Sequence, residues 1–76
     1  MTLADVKPSR TCKIVALGRK KSVLRKRLID MGLTIDTIVL VRKLAPLGDP
    51  IEISLRGYEL SLRREEAKEI EVELLK

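Results

Sequence analysis

The chain is 76 residues long and carries 16 Lys/Arg against 11 Asp/Glu, a net charge of +5, with no histidine and one cysteine. Those counts exclude histidine chemistry, whether as general base, triad member or metal ligand, and leave no internal disulfide and no Cys-rich zinc or iron–sulfur site. The longest uninterrupted apolar run is four residues, as in Ile38–Val41, far short of the roughly 20 that a membrane-spanning helix needs.

Residues 1–10 hold Leu3, Val6 and Pro8 without a sustained period and read as an irregular lead-in. Thr11 to Leu17 is β-branched and apolar, which predicts a strand with Cys12, Ile14 and Ala16 on one face, ended at Gly18. Over residues 20–31 the pattern turns helical: Leu24, Leu28 and Met31 recur at spacings of four and three and line one face. Gly32 follows, where a left-handed C-terminal cap needs glycine. Thr37 to Leu44 predicts a second strand. Its Ile38–Val39–Leu40–Val41 centre is apolar enough to be covered, at least in part, on both faces. Two prolines and a glycine between Ala45 and Pro50 mark a loop.

The next stretch has the clearest pattern. Ile51, Ile53 and Leu55 alternate with Glu52, Ser54 and Arg56; after Gly57 the phase flips, and Tyr58, Leu60 and Leu62 alternate with Glu59, Ser61 and Arg63. A hairpin with a two-residue loop at Arg56–Gly57 sets Leu55 opposite Tyr58, Ile53 opposite Leu60 and Ile51 opposite Leu62. Opposed residues share a face, so the flip is what keeps that face apolar. Gly57 supplies the positive φ of the tight turn, and the pattern turns Tyr58 inward. Arg64 to Glu69 fits one or two turns of helix, with Glu65 and Glu66 near the start where the helix dipole favours acids. Ile70, Val72 and Leu74 alternate with Glu71 and Glu73 as a last strand.

Five short strands, one helix inserted after the first and a helical turn before the last predict a mainly β fold, a small SH3-like barrel spanning residues 1–76 as a single domain. A chain of this length buries only about 60% of its extended surface. Rolling one sheet into a closed barrel removes exposed edges without the mass that a sandwich demands.

Charge is unevenly placed. Residues 1–51 hold 11 Lys/Arg against 4 Asp/Glu, whereas residues 52–76 hold 5 against 7. Arg19, Lys20, Lys21, Arg25, Lys26 and Arg27 form a run with no acid among them. Cations so early in a helix oppose its dipole. The run reads either as a solvated helix face or as a docking patch for acidic protein, anionic lipid or nucleic acid. Leu47 sits in a Pro/Gly loop, where it either caps one end of the barrel or stands exposed as an anchor for a partner. The candidate partner-binding residues are therefore Lys20, Lys21, Arg25, Lys26 and Leu47. Glu65, Glu66, Glu69, Glu71 and Glu73 read as a solvated acidic face, with a carboxylate metal site as the alternative. Cys12 and Met31 read as core.

Several segments, taken in order, resemble the FeoA family of ferrous iron uptake: Arg27-Leu28-Ile29-Asp30-Met31-Gly32-Leu33, Ala45-Pro46-Leu47-Gly48-Asp49-Pro50-Ile51, Arg56-Gly57-Tyr58, Leu60-Ser61-Leu62-Arg63 and Glu66-Ala67. The match spans nearly the whole chain. It departs at two turns: Ile35-Asp36 stands where the family often has Pro-Gly, and the lead-in near Ser9 lacks a frequent glycine. Asp tolerates such turns better than most residues. The resemblance implies an SH3-like barrel that acts as a small cytoplasmic accessory or regulatory protein. Its implied partner is FeoB, the membrane permease for ferrous iron, which carries its own cytoplasmic GTP-hydrolysing domain. It carries over no binding-site residues and implies no cofactor.

Other classes fit less well. Single-strand nucleic-acid binding leans on aromatic platforms, and Tyr58 is the one aromatic residue; phosphate-only contact is the form that remains. A stand-alone relative of the C-terminal barrel of metal-dependent repressors is a further alternative. The chain begins at Met1 with no winged-helix segment ahead of the barrel, which speaks against a DNA-bound repressor. No nucleophile–base pair or phosphate-cradling loop supports an enzyme. The expectation is a cytoplasmic binding module, a monomer or weak homodimer, with peripheral contact to the inner membrane surface as an option.

Overall fold

Alternating apolar residues make strands because side chains on a strand point to opposite faces in turn. The computed structural model of the chain, which describes residues 1–18 and 22–75, places five of them: β1 Thr11–Leu17, β2 Ile38–Leu44, β3 Ile51–Leu55, β4 Tyr58–Leu62 and β5 Ile70–Leu75. Helix α1 is Ser22–Asp30 and helix α2 is Arg64–Ala67. The strands form one antiparallel sheet in the order β4-β3-β2-β1-β5. Their inward faces meet in one core that includes Cys12, Ile14, Val39, Val41, Ile51, Ile53, Leu62, Ile70 and Val72, with Leu28 and Leu33 added from α1 and its cap.

The hairpin pairs as the alternation predicts: Leu55 faces Tyr58, Ile53 faces Leu60 and Ile51 faces Leu62. Arg56 and Gly57 both have positive φ, 48° and 84°, the signature of the tight turn that matches strand twist. Tyr58 is the exception to its own pattern. It stands at the rim, 42% exposed, and its hydroxyl donates to the Met31 carbonyl. The reading that turned it inward is corrected: a phenol needs a partner for its O–H, and the end of α1 offers one.

Helix α1 ends as read. Gly32 has φ +92°; its N–H reaches the Ile29 carbonyl at 2.9 Å and the Leu33 N–H reaches that of Leu28 at 3.0 Å. These are the two bonds of a Schellman cap, and Leu28 and Leu33 supply its apolar contact. Both are fully buried.

Other expectations need correction. The lead-in is not irregular throughout: Leu3–Asp5 forms a 3₁₀ turn, and Leu3, Ala4 and Val6 enter the core. The register of β1 against β5 slips at Val15, between Ile14 and Ala16. This bulge moves the inward position from Ala16 to Leu17, which is buried while Val15 is exposed. A second bulge at Arg42 separates Val41 from Lys43. Bulges bend and twist a strand, which is how a sheet this small rolls around its core. Strand β2 is fully covered on one face and only in part on the other, where Leu40 is half-buried and Ile38 is 55% exposed. The barrel is also not closed by a ladder: β4 and β5 lie at opposite ends of the sheet and no described residues pair them.

The two turns without glycine carry the strain directly. Ser9 has φ 72° and Asp36 has φ 74°, left-handed values that cost a non-glycine residue about 1–2 kcal/mol. The Ser9 N–H bonds to the Val41 carbonyl and the Asp36 N–H to the Ile14 carbonyl, both at 2.7 Å, so each turn is pinned to the sheet.

Candidate docking site

The loop between β2 and β3 is locked at both ends. Ala45 N–H donates to the Pro50 carbonyl at 3.0 Å and Gly48 N–H to the Ala45 carbonyl at 2.8 Å. At its tip Leu47 adopts φ 70° and ψ 8° and is fully exposed. Of the two placements open for Leu47, the structure takes the exposed one. A bulky residue in the left-handed region is an outlier that the surrounding structure must impose, and here the turn bonds impose it.

The loop is tied to α2. The Asp49 Oδ1 accepts the Arg64 backbone N–H at 3.1 Å and lies 4.0 Å from the Arg63 guanidinium. Helix α2 is tied in turn to α1: Glu66 accepts the Arg63 N–H at 3.0 Å and pairs with Arg27 at 3.1 Å. Leu47, Asp49, Arg63, Arg64, Glu66 and Arg27 thus follow one another along one rim. An open depression of about 360 Å³ lies on it, lined by Arg27, Pro50, Ser61, Leu62, Arg63 and Glu66. Its charges are mixed and largely paired, Arg27 with Glu66 and Arg63 with Asp49, and Glu65 stands exposed between Arg64 and Glu66 on α2.

Of the residues singled out from the sequence, Leu47 stands on this rim. Arg25 and Lys26 are exposed on α1, two and one residues before Arg27, and no described contact joins them to the Leu47 loop. Lys20 and Lys21 lie outside the described residues. Asp49, Arg63 and Arg64 were not singled out; Arg27 was read only as the end of the basic run and Glu66 only as part of the acidic face. A signal for two of them was present: the register that sets Ile51 opposite Leu62 also sets Asp49 opposite Arg64. The Glu66–Arg27 pair had no such signal, because α1 and α2 meet only in the tertiary structure.

Among the described residues no group of three or more Cys, Asp or Glu side chains comes together in a way that could hold a metal ion. Burial pushes the Cys12 thiol up to about 11, which leaves almost no thiolate, the reactive form, at neutral pH.

A family model described as the FeoA domain matches residues 1–74. The chain belongs to the FeoA family. Over 55 residues, 72% of this chain, it is 44% identical to an Fe(2+) transport protein A/Fe(2+) transporter FeoB fusion protein of Porphyromonas gingivalis, of whose length it spans 6%. An FeoA-like protein from Clostridium acetobutylicum, solved by NMR, is 39% identical and superposes with a TM-score of 0.92, covering 100% of this chain and 87% of that one. An FeoA of Stenotrophomonas maltophilia, solved in complex with zinc and described as a prokaryotic SH3 domain protein, is 21% identical, with a TM-score of 0.84 over 96% of this chain and 89% of that one. At that identity the likeness speaks to the fold alone. The SH3-like architecture stands on the fold match, and the link to ferrous iron transport on the family model and the fusion relative. No described helix is long and apolar enough to cross a membrane.

Proposed function

We propose that this chain is a cytoplasmic docking module for an FeoB-type ferrous iron permease, a binding protein that performs no chemistry of its own. The observation that carries the reading is Leu47: a fully exposed leucine on a loop locked by its own turn bonds, set on a rim of charged side chains. An apolar side chain held rigidly in water loses little entropy on binding and gains by leaving the solvent. The fusion of a transport protein A part with FeoB in the P. gingivalis relative supports the choice of partner.

The partner surface that fits is an apolar pocket with an acidic edge. Leu47 fills the pocket, and the cations of the rim together with Arg25 and Lys26 steer the encounter, an effect that salt weakens. The same cations face the anionic leaflet around a membrane-embedded partner, where each contributes about 1 kcal/mol near the surface.

The experiment is capture of detergent-solubilised FeoB-type permease by the purified chain. Leu47→Asp is expected to weaken capture about tenfold or more, as loss of an interface anchor does. Its folding stability should hold within about 0.5 kcal/mol, as for other surface substitutions. Charge reversal at Arg25 and Lys26 is expected to lower the association rate and flatten its salt dependence. Capture by Leu47→Asp equal to that of the unaltered chain overturns the reading.

A further inference from the structure

The two ends of the sheet are treated differently. The outer edge of β5 is covered by the chain's own start: Thr2 bridges Glu71 and the Val72 N–H donates to the Met1 carbonyl at 3.0 Å. Leu3, Ala4 and Val6 are buried to hold that segment in place. The outer edge of β4 has no such cover among the described residues. Uncovered edges are templates for another strand, and folded proteins ordinarily guard them.

Which groups β4 presents follows from the hairpin. In a two-residue hairpin the residues flanking the loop exchange both backbone bonds, and every second residue does the same. Tyr58, Leu60 and Leu62 are therefore satisfied by β3. The N–H and C=O of Glu59 and Ser61 point outward, and both residues are exposed. Arg63 does not extend this edge, because its N–H is given to Glu66 and its carbonyl accepts from Ala67. Charge does not guard the edge either. Glu59 is the one ionic side chain on the strand, and Arg42 already pairs with it at 3.3 Å.

We propose that β4 pairs antiparallel with β4 of a second copy of this chain, with Leu60 on the twofold axis. Only this register uses all four free groups on each side: Glu59 of one copy exchanges both backbone bonds with Ser61 of the other, and the reverse. Side chains agree with it. Leu60 faces Leu60, Tyr58 faces Leu62, and Glu59 faces Ser61 with Arg63 of the other copy on its diagonal. A register centred on Glu59 would oppose two carboxylates, which is destabilising. One centred on Ser61 would need the Arg63 N–H that Glu66 holds. The contact is short, so the dimer is weak and concentration-dependent.

The test is sedimentation of the full chain over a wide concentration range, with disulfide trapping. Facing residues of a non-hydrogen-bonded pair come close enough for a disulfide, so Leu60→Cys is expected to cross-link under mild oxidation while Ser61→Cys cross-links far less. The buried Cys12 does not compete. Ser61→Pro removes an outward N–H without touching the β3 ladder. It is expected to weaken the dimer about tenfold or more, through two hydrogen bonds lost by symmetry, and to keep the native circular dichroism. A chain that stays monomeric at every concentration, or one that cross-links better through Ser61→Cys than through Leu60→Cys, overturns the proposal. If Ser61→Pro fails to fold, the cross-linking comparison alone decides.

Discussion

Ser9 and Asp36 show what a single residue contributes here. Each sits in the left-handed region where glycine pays no steric penalty, and each donates its N–H to the sheet. Neither side chain makes a described hydrogen bond or ion pair. Ser9→Gly and Asp36→Gly are expected to stabilise the chain by about 0.5–1 kcal/mol each, the relief of left-handed strain less the extra entropy of glycine. Urea midpoints measure it; a fall in both midpoints would show that the side chains matter more than the backbone. Leu47 has the same left-handed backbone, yet there the exposed side chain is the feature that a partner can use.

At the scale of the element, Gly32 couples a helix end to a hairpin. It caps α1, and a Cβ built on it would meet the Tyr58 hydroxyl at 2.9 Å, at φ +92°. Gly32→Ala therefore opposes both the cap and the bond from Tyr58 to the Met31 carbonyl. The expected loss is about 1–2 kcal/mol from the left-handed backbone alone, with a change in Tyr58 fluorescence as the ring shifts. An unchanged spectrum would mean that the tyrosine is not held there. The other side of the hairpin tip is tied down too: Arg56 donates to the Thr34 and Thr37 hydroxyls at 3.0 and 3.1 Å. The hairpin is thus fastened at its tip, while no described residue pairs with the outer edge of β4.

For the molecule as a whole, the first six residues are structural. Leu3 is fully buried and seats the segment that covers β5. Leu3→Ala is expected to cost about 2–5 kcal/mol, the range for emptying a buried leucine site. Amide exchange at Val72 should speed up beyond what the global loss explains, because its partner is the Met1 carbonyl. Equal acceleration at Val72 and at mid-sheet amides would show that the cover contributes nothing local.

Whatever depends on neighbours along the chain was legible in the residues alone. The phase flip across Arg56–Gly57 set the hairpin register, the Leu24–Leu28–Met31 spacing with Gly32 set the helix and its cap, and apolar alternation together with the Ile38–Val41 run set five strands. Periodicity is a local property, and a half-buried strand or helix must obey it. The folded chain set what depends on contacts between distant segments. It placed the bulges at Val15 and Arg42, which alternation cannot signal because they break it. It buried Leu3 and Val6, turned Tyr58 to the rim, left the sheet unclosed between β4 and β5 among the described residues, and joined the Leu47 loop to α1 through Asp49, Arg64, Glu66 and Arg27. The docking rim belongs to this second group. Its residues are scattered from 27 to 66 and acquire a common surface only once the core has drawn the sheet around itself.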